Sequence, residues 1–136
     1  MTKEMTEREE AIRLMSSRIA DFQNFNKLSD DWEDKPTKAD EKTLDELGRP
    51  DEYGLDLSRL SYNFRNESTT WVFLLSTGGP HDEFQVEADR YGTVEDVTFV
   101  YLPWFGRQEL DVTGTDFEAI KEYMERFHYL ESDTFQ

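Results

Sequence analysis

The chain has no cysteine, and its 136 residues include only two histidines and four prolines. Without cysteine there is no disulfide, no thiolate nucleophile and no thiolate metal site. No apolar run approaches the ~20 residues that cross a bilayer, so no membrane segment is expected. The opening stretch MTKEMTEREE is charged and lacks the apolar core of a secretory signal, which leads us to expect a cytoplasmic protein. Positive charge is scarce. Fifteen Lys and Arg stand against thirty-one Asp and Glu, a net charge of −16. Such a chain is repelled by nucleic acid and by anionic membrane surfaces, so direct contact with either is not expected. The partners it favours are basic protein surfaces and cations, although surplus carboxylate also serves solubility alone.

What the chain does have is a strong strand signal. Thr69 to Ser76 is an apolar run with Trp71, Phe73 and Leu75 on one side and Val72 and Leu74 on the other. Apolar residues on both sides predict a central strand covered on each face. Gly78, Gly79 and Pro80 then stop the run, and Phe84, Val86 and Ala88 alternate with Glu83, Gln85 and Glu87 in a second strand. Leu60, Tyr62 and Phe64 predict a strand before these two, and Val97, Phe99 and Tyr101 one after, with Gly92 in the intervening turn. Gln108 to Val112 reads as a short edge strand.

Helices flank this core. Ala11, Ile12, Met15, Ile19 and Phe22 form an apolar stripe over residues 6–25, with Thr6 and Glu9 as a capping box. Phe117, Ile120, Tyr123, Met124 and Phe127 do the same over residues 116–129, with Thr115 and Glu118 as the expected box. The fold class is therefore α+β: an antiparallel sheet of four or five strands with N- and C-terminal helices packed on it. A single domain is expected over residues 1–136: an N-terminal helix (1–28), an acidic segment (29–56), and the sheet with the last helix (57–136).

The acidic segment holds eleven carboxylates, among them Asp30, Asp31, Glu33, Asp34, Asp45 and Glu46, against four basic residues. A short helix from Lys38 to Leu47, capped by Thr37 and stopped by Gly48, is predicted within it. The remainder is expected to be the least ordered part of the chain. Crowded carboxylates repel one another, so these six residues are candidates for contact with a basic partner. Trp104 and Phe105, between Pro103 and Gly106, either fold back over the sheet edge or stand out as a partner-binding anchor.

Signals for chemistry are thinner. The Gly78–Gly79 pair lacks the Lys and Ser/Thr of a phosphate loop. His81 beside Asp82 has the residue types of a base and its orienter, which makes the Gly78-Gly79-Pro80-His81 turn the alternative site, for a small enzyme or ligand binder. Asp30-Asp31 and Glu33-Asp34 supply oxygen ligands for a hard cation, but no EF-hand pattern surrounds them. His128, at the end of the last helix, is placed to act on the helix dipole. No catalytic residue, cofactor or metal site is assigned.

The segments LSYNFRN, WVFLLSTGGPHDEFQVEAD, VTFVYLPWFG and DFEAIKEYMERF, within residues 60–128, resemble small proteins of phages, prophages and plasmids. Thr77-Gly78-Gly79-Pro80 is the most recognisable part of that resemblance. The resemblance implies a genetic setting in which small acidic proteins inhibit host defence, as anti-CRISPR and anti-restriction proteins do. By that analogy the expected function is non-enzymatic: binding a basic, nucleic-acid-binding protein by mimicking nucleic acid.

Overall fold

A computed structural model describes residues 6–131. Thr6 accepts a hydrogen bond from the Glu9 amide and starts α1 (Glu7–Asn26). Its buried stripe is Ala11, Met15, Ile19, Phe22 and Phe25. Ile12 leaves the expected stripe and is 45% exposed, since each residue turns about 100° around the helix. A second helix, α2 (Lys38–Leu47), is capped by a reciprocal box between Thr37 and Asp40 and ends at Gly48 with φ 81°. Five strands follow: β1 (Asp56–Asn63), β2 (Ser68–Ser76), β3 (His81–Ala88), β4 (Val94–Leu102) and β5 (Gln108–Asp111). The last element is α3 (Gly114–Phe127). This helix starts one residue before Thr115. The residue at its N-cap is Thr113, whose side chain makes no capping bond, and the expected Thr115–Glu118 box does not form.

The sheet is an antiparallel meander in the order β1-β2-β3-β4-β5. With the two terminal helices on it, this is the α+β architecture that the periodicities predict. Register fixes what each face carries. One row runs Leu57, Phe73, Phe84, Phe99, Leu110, and the next runs Arg59, Trp71, Val86, Val97. Both α1 and α3 pack on this face. Phe22 and Tyr123 stack on each other at 4.5 Å and both lie over Phe73, at 6.2 and 6.1 Å.

The expected two-sided cover of β2 is not found: among the described residues no helix lies on the opposite face. Val72 and Leu74 there are half-buried, and the middle strand is β3 rather than β2. Trp71 is only half-buried as well, and its indole Nε1 has no hydrogen-bond partner. β1 is an edge with a bulge at Leu60, between Arg59 and Ser61, which leaves Leu60 58% exposed, and Phe64 lies beyond the strand in the turn, 83% exposed, instead of inside.

The acidic segment is better ordered than its composition implies. Trp32 is buried against Phe127, and Arg126 donates to the carbonyls of Leu28 and Ser29 at 2.7 and 3.0 Å. Tyr123 donates its hydroxyl proton to Pro50 O at 2.6 Å, which pins a 3-10 turn at Pro50–Glu52. Gly54 then crosses the sheet with φ +87°, so close that a Cβ would sit 2.7 Å from Phe73 Cε1. Three aromatic anchors thus hold a segment that is polar when averaged.

Candidate functional site

The turn at Thr77–Pro80 has the geometry its glycines suggest, with Gly78 at φ 83°. It does not assemble a base and its orienter. Consecutive strand residues point to opposite faces. Asp82 is fully buried on the helix side, where Arg18 Nε donates to its Oδ2 at 2.8 Å and the Ser76 hydroxyl donates to Oδ1. Arg18 also bonds Tyr53 Oη, and that phenol donates to Asp21 Oδ2 at 2.5 Å. Burial opposes the charge on Arg18, but its hydrogen bonds to Asp82 and Tyr53 and the Asp82 charge outweigh it, so its pKa is raised and Arg18 stays protonated. His81 points the other way, and its Nε2 meets Glu83 Oε1 at 2.6 Å. The expected His81–Asp82 pair is therefore replaced by a His81–Glu83 pair on one face and a buried ion pair on the other.

The carboxylates of residues 29–56 divide into two kinds. Asp40 is buried, and it accepts from the Ser29 amide, the Ser29 hydroxyl and the Thr37 amide at 3.0, 2.5 and 3.0 Å. The Ser29 hydroxyl and then the Thr37 amide lower its pKa to about 2. This acid ties the chain just beyond α1 to the start of α2. Asp30, Asp31, Glu33, Asp34, Asp45 and Glu46 are all exposed. Of these six, only Glu33 has a cationic partner among the described residues, Arg49 at 3.5 Å. Arg49 also grips Asp51 and lies over the Trp32 ring at 5.0 Å. Asp30 and Glu33 share a cleft of about 340 Å³ with Trp32, Asp51, Arg126 and Phe127. Asp45 and Glu46 lie apart from it on the outer side of α2.

Trp104 and Phe105 stand out, at 74% and 85% exposure, rather than folding back. The Trp104 ring passes 3.7 Å from the Cβ position of Gly79, so the β2–β3 and β4–β5 turns adjoin. Gly106 faces Glu7 at the start of α1, whereas Asp30 follows the end of that helix. Twenty residues of α-helix span about 30 Å. The aromatic pair and the acidic segment are therefore at opposite ends of α1 and do not form one site.

A third surface escaped the sequence because that face was expected to be covered. Its rows run Asp56, Leu74, Glu83, Val100, Glu109; then Ser58, Val72, Gln85, Thr98, Asp111; then Ser61, Thr70, Glu87, Asp96. Its apolar residues are Val72, Leu74 and Val100, the last fully buried without a helix above it, and they flank Glu83, Gln85 and Glu87 of the middle strand. Six carboxylates share the face: Asp56, Glu83, Glu87, Asp96, Glu109 and Asp111. Only Glu83 and Glu109 have side-chain partners of basic type among the described residues, the His81 ring and the Arg107 guanidinium. Glu87 sits directly across from Asp96. Like charges at directly opposed positions oppose strand pairing. The alternation of Glu83, Gln85 and Glu87 was the signal available in sequence; the partner strands that complete the patch come only from register.

Among the described residues, no group of three or more His, Asp or Glu side chains is placed to hold a metal ion, and no helix is long and apolar enough to cross a membrane. Against protein-family models, curated proteins and solved structures, the chain has no match.

Proposed function

We propose that this protein is a non-enzymatic binder of a basic protein, with the uncovered sheet face as its principal contact surface. The observation that supports this most directly is the Glu87–Asp96 opposition on an uncovered face that sets six carboxylates among Val72, Leu74 and Val100. A sheet gains nothing from opposed carboxylates, whereas a cationic partner relieves them. The exposed acids of residues 29–56 extend the negative field, which steers a basic partner and raises its association rate. Trp104 and Phe105 supply an anchor of the kind that dominates interface energetics.

The partner class that fits is a nucleic-acid-binding protein, because a groove built for phosphates selects negative charge before it reads anything else. A host-defence nuclease, the target that the mobile-element resemblance suggests, is such a protein. The test uses nuclease-treated extract of the native cell. The protein and its Glu87→Gln/Asp96→Asn/Asp111→Asn variant are immobilised side by side. A specific partner should elute with salt, be displaced by duplex DNA, and be lost on the variant. A partner held equally by both, and indifferent to DNA, would remove the sheet face and the mimicry together. Variants at Asp30, Asp31, Glu33, Asp34, Asp45 and Glu46, and at Trp104 and Phe105, then assign the secondary contacts.

A further inference from the structure

The two edges of the sheet differ. β5 is four residues long, and α1 packs against it. β1 is eight residues long, six of its side chains are exposed, and among the described residues no strand lies on its outer side. An edge strand presents a row of unpaired N–H and C=O groups, which proteins commonly blunt with lysine, proline or a covering element. β1 has neither lysine nor proline. Its bulge at Leu60 interrupts the ladder but leaves two regular stretches, residues 56–59 and 61–63. Main-chain groups in that arrangement specify the shape of what completes them, which is another extended strand.

Side chains specify its character. Residues 57–66, LSRLSYNFRN, are ten positions without a carboxylate in a chain that carries thirty-one. Arg59 and Arg65 stand within them, and neither has an anionic partner among the described residues. Arg18, Arg49, Arg90 and Arg107, by contrast, each hold an acid. Arg59 is exposed and sits directly across from Trp71, whose Nε1 also lacks an acceptor, so this row holds two donors and nothing that accepts from them. Leu57 and Tyr62, on the same side of the sheet, are half-buried with room beside them. A second copy of this chain does not fit, because it would set another edge with the same two arginines, and another charge of −16, against the first.

We propose that the outer edge of β1 is a docking site for an extended segment of another protein, added as a sixth strand. That segment carries a carboxylate opposite Arg59 and apolar side chains at the alternate positions beside Leu57 and Tyr62. Main-chain hydrogen bonds supply the affinity, and the alternate side chains supply the selectivity. The charge preference of this edge is opposite to that of the acidic sheet face. The site therefore stands apart from that face and does not depend on it.

The probe is the peptide acetyl-Thr-Val-Thr-Glu-Thr-Val-Thr-amide, which places Val, Glu and Val on one side of a strand. One control has lysine for glutamate, and another has proline for the two inner threonines. Binding is followed by NMR, through amide shifts and hydrogen exchange, at about 0.15 M salt. There the Debye length is about 8 Å, longer than the ~5 Å between directly opposed side chains but short enough to screen charges elsewhere on the molecule. Saturable shifts and slowed exchange confined to β1 are expected with the glutamate peptide. The lysine peptide should bind about threefold or more weaker, and the proline peptide should not bind. Arg59→Glu should reverse that order and favour the lysine peptide by a similar factor. The position is exposed, so this variant keeps the fold, and its unchanged thermal transition checks that. Protection at β5 or nowhere, equal binding of the glutamate and lysine peptides, or an Arg59→Glu variant with the wild-type order would overturn the proposal. None of these results bears on the Glu87–Asp96 surface.

Discussion

Asp40 shows how one acid in a crowd of acids can serve the fold. Its pKa is held near 2 by Ser29 and Thr37, below the ~3.9 of an unfolded aspartate. A group depressed in the folded state adds stability that is complete above the unfolded value and is lost as pH falls toward the folded one. Asp40→Asn should therefore lower the melting temperature at pH 7 and flatten its decline between about pH 4 and pH 2. Thermal melts across that window check it; an unchanged acid limb would show that the carboxylate contributes nothing there. Asp82 is the second such residue. Removing one partner of a buried ion pair typically costs about 3–5 kcal/mol, because the other charge stays behind. Asp82→Leu should be destabilised on that scale, and adding Arg18→Met should recover part of the loss. A double variant no better than the single one would argue against a pair. Neither role was legible in sequence, since Asp40 looked like part of an acidic run and Asp82 looked like a partner for its neighbour. What decides both is which way the side chain turns.

At the scale of elements, the sequence was most informative where periodicity was strong. β3, β4, α1 and α2 lie where alternation, helical stripes and caps placed them. It misleads at β2, where apolar residues on both faces predict two layers of cover and only one is present among the described residues. Phe73 is 1% exposed beneath Phe22 and Tyr123, whereas Trp71 is half-buried with an unsatisfied Nε1. Phe73→Ala should cost about 3–5 kcal/mol. Trp71→Phe removes an orphan donor and keeps most of the ring, so it should cost well under half of that. Denaturant melts of the two variants give the ordering, and a reversal would mean that β2 is organised around Trp71 after all. The candidate surface was missed for a related reason: single strands disclose alternation, but opposed carboxylates exist only once two strands are in register.

At the scale of the whole molecule, a charge of −16 acts on every element at once. Self-repulsion destabilises a compact state, and salt screens it. The Debye length falls from about 30 Å at 0.01 M to about 3 Å at 1 M. The melting temperature should therefore rise steadily with sodium chloride over that range, and the Glu87→Gln/Asp96→Asn/Asp111→Asn variant should rise less. A wild-type melting temperature that ignores salt would mean that the acids are too dispersed to matter to the fold. Composition alone foretold this property; where the charge concentrates needed the sheet.

The connectivity of the meander has a consequence for how the chain reaches this state. Each strand pairs with its neighbour in sequence, so the sheet can grow by local hairpins. The helices cannot meet so cheaply. Asn26 reaches the Ala119 carbonyl and Arg126 reaches the Asn26 carbonyl across sequence separations of 93 and 100 residues. Contacts at such separation carry the largest closure entropy and arrive late in topology-limited folding. The aromatic stack of Phe22, Phe73 and Tyr123 would then be a final seal over a sheet already formed. In stopped-flow kinetics, shortening Phe22 should speed unfolding and leave the refolding rate nearly untouched, whereas shortening Phe84 or Phe99 in the middle strands should slow refolding.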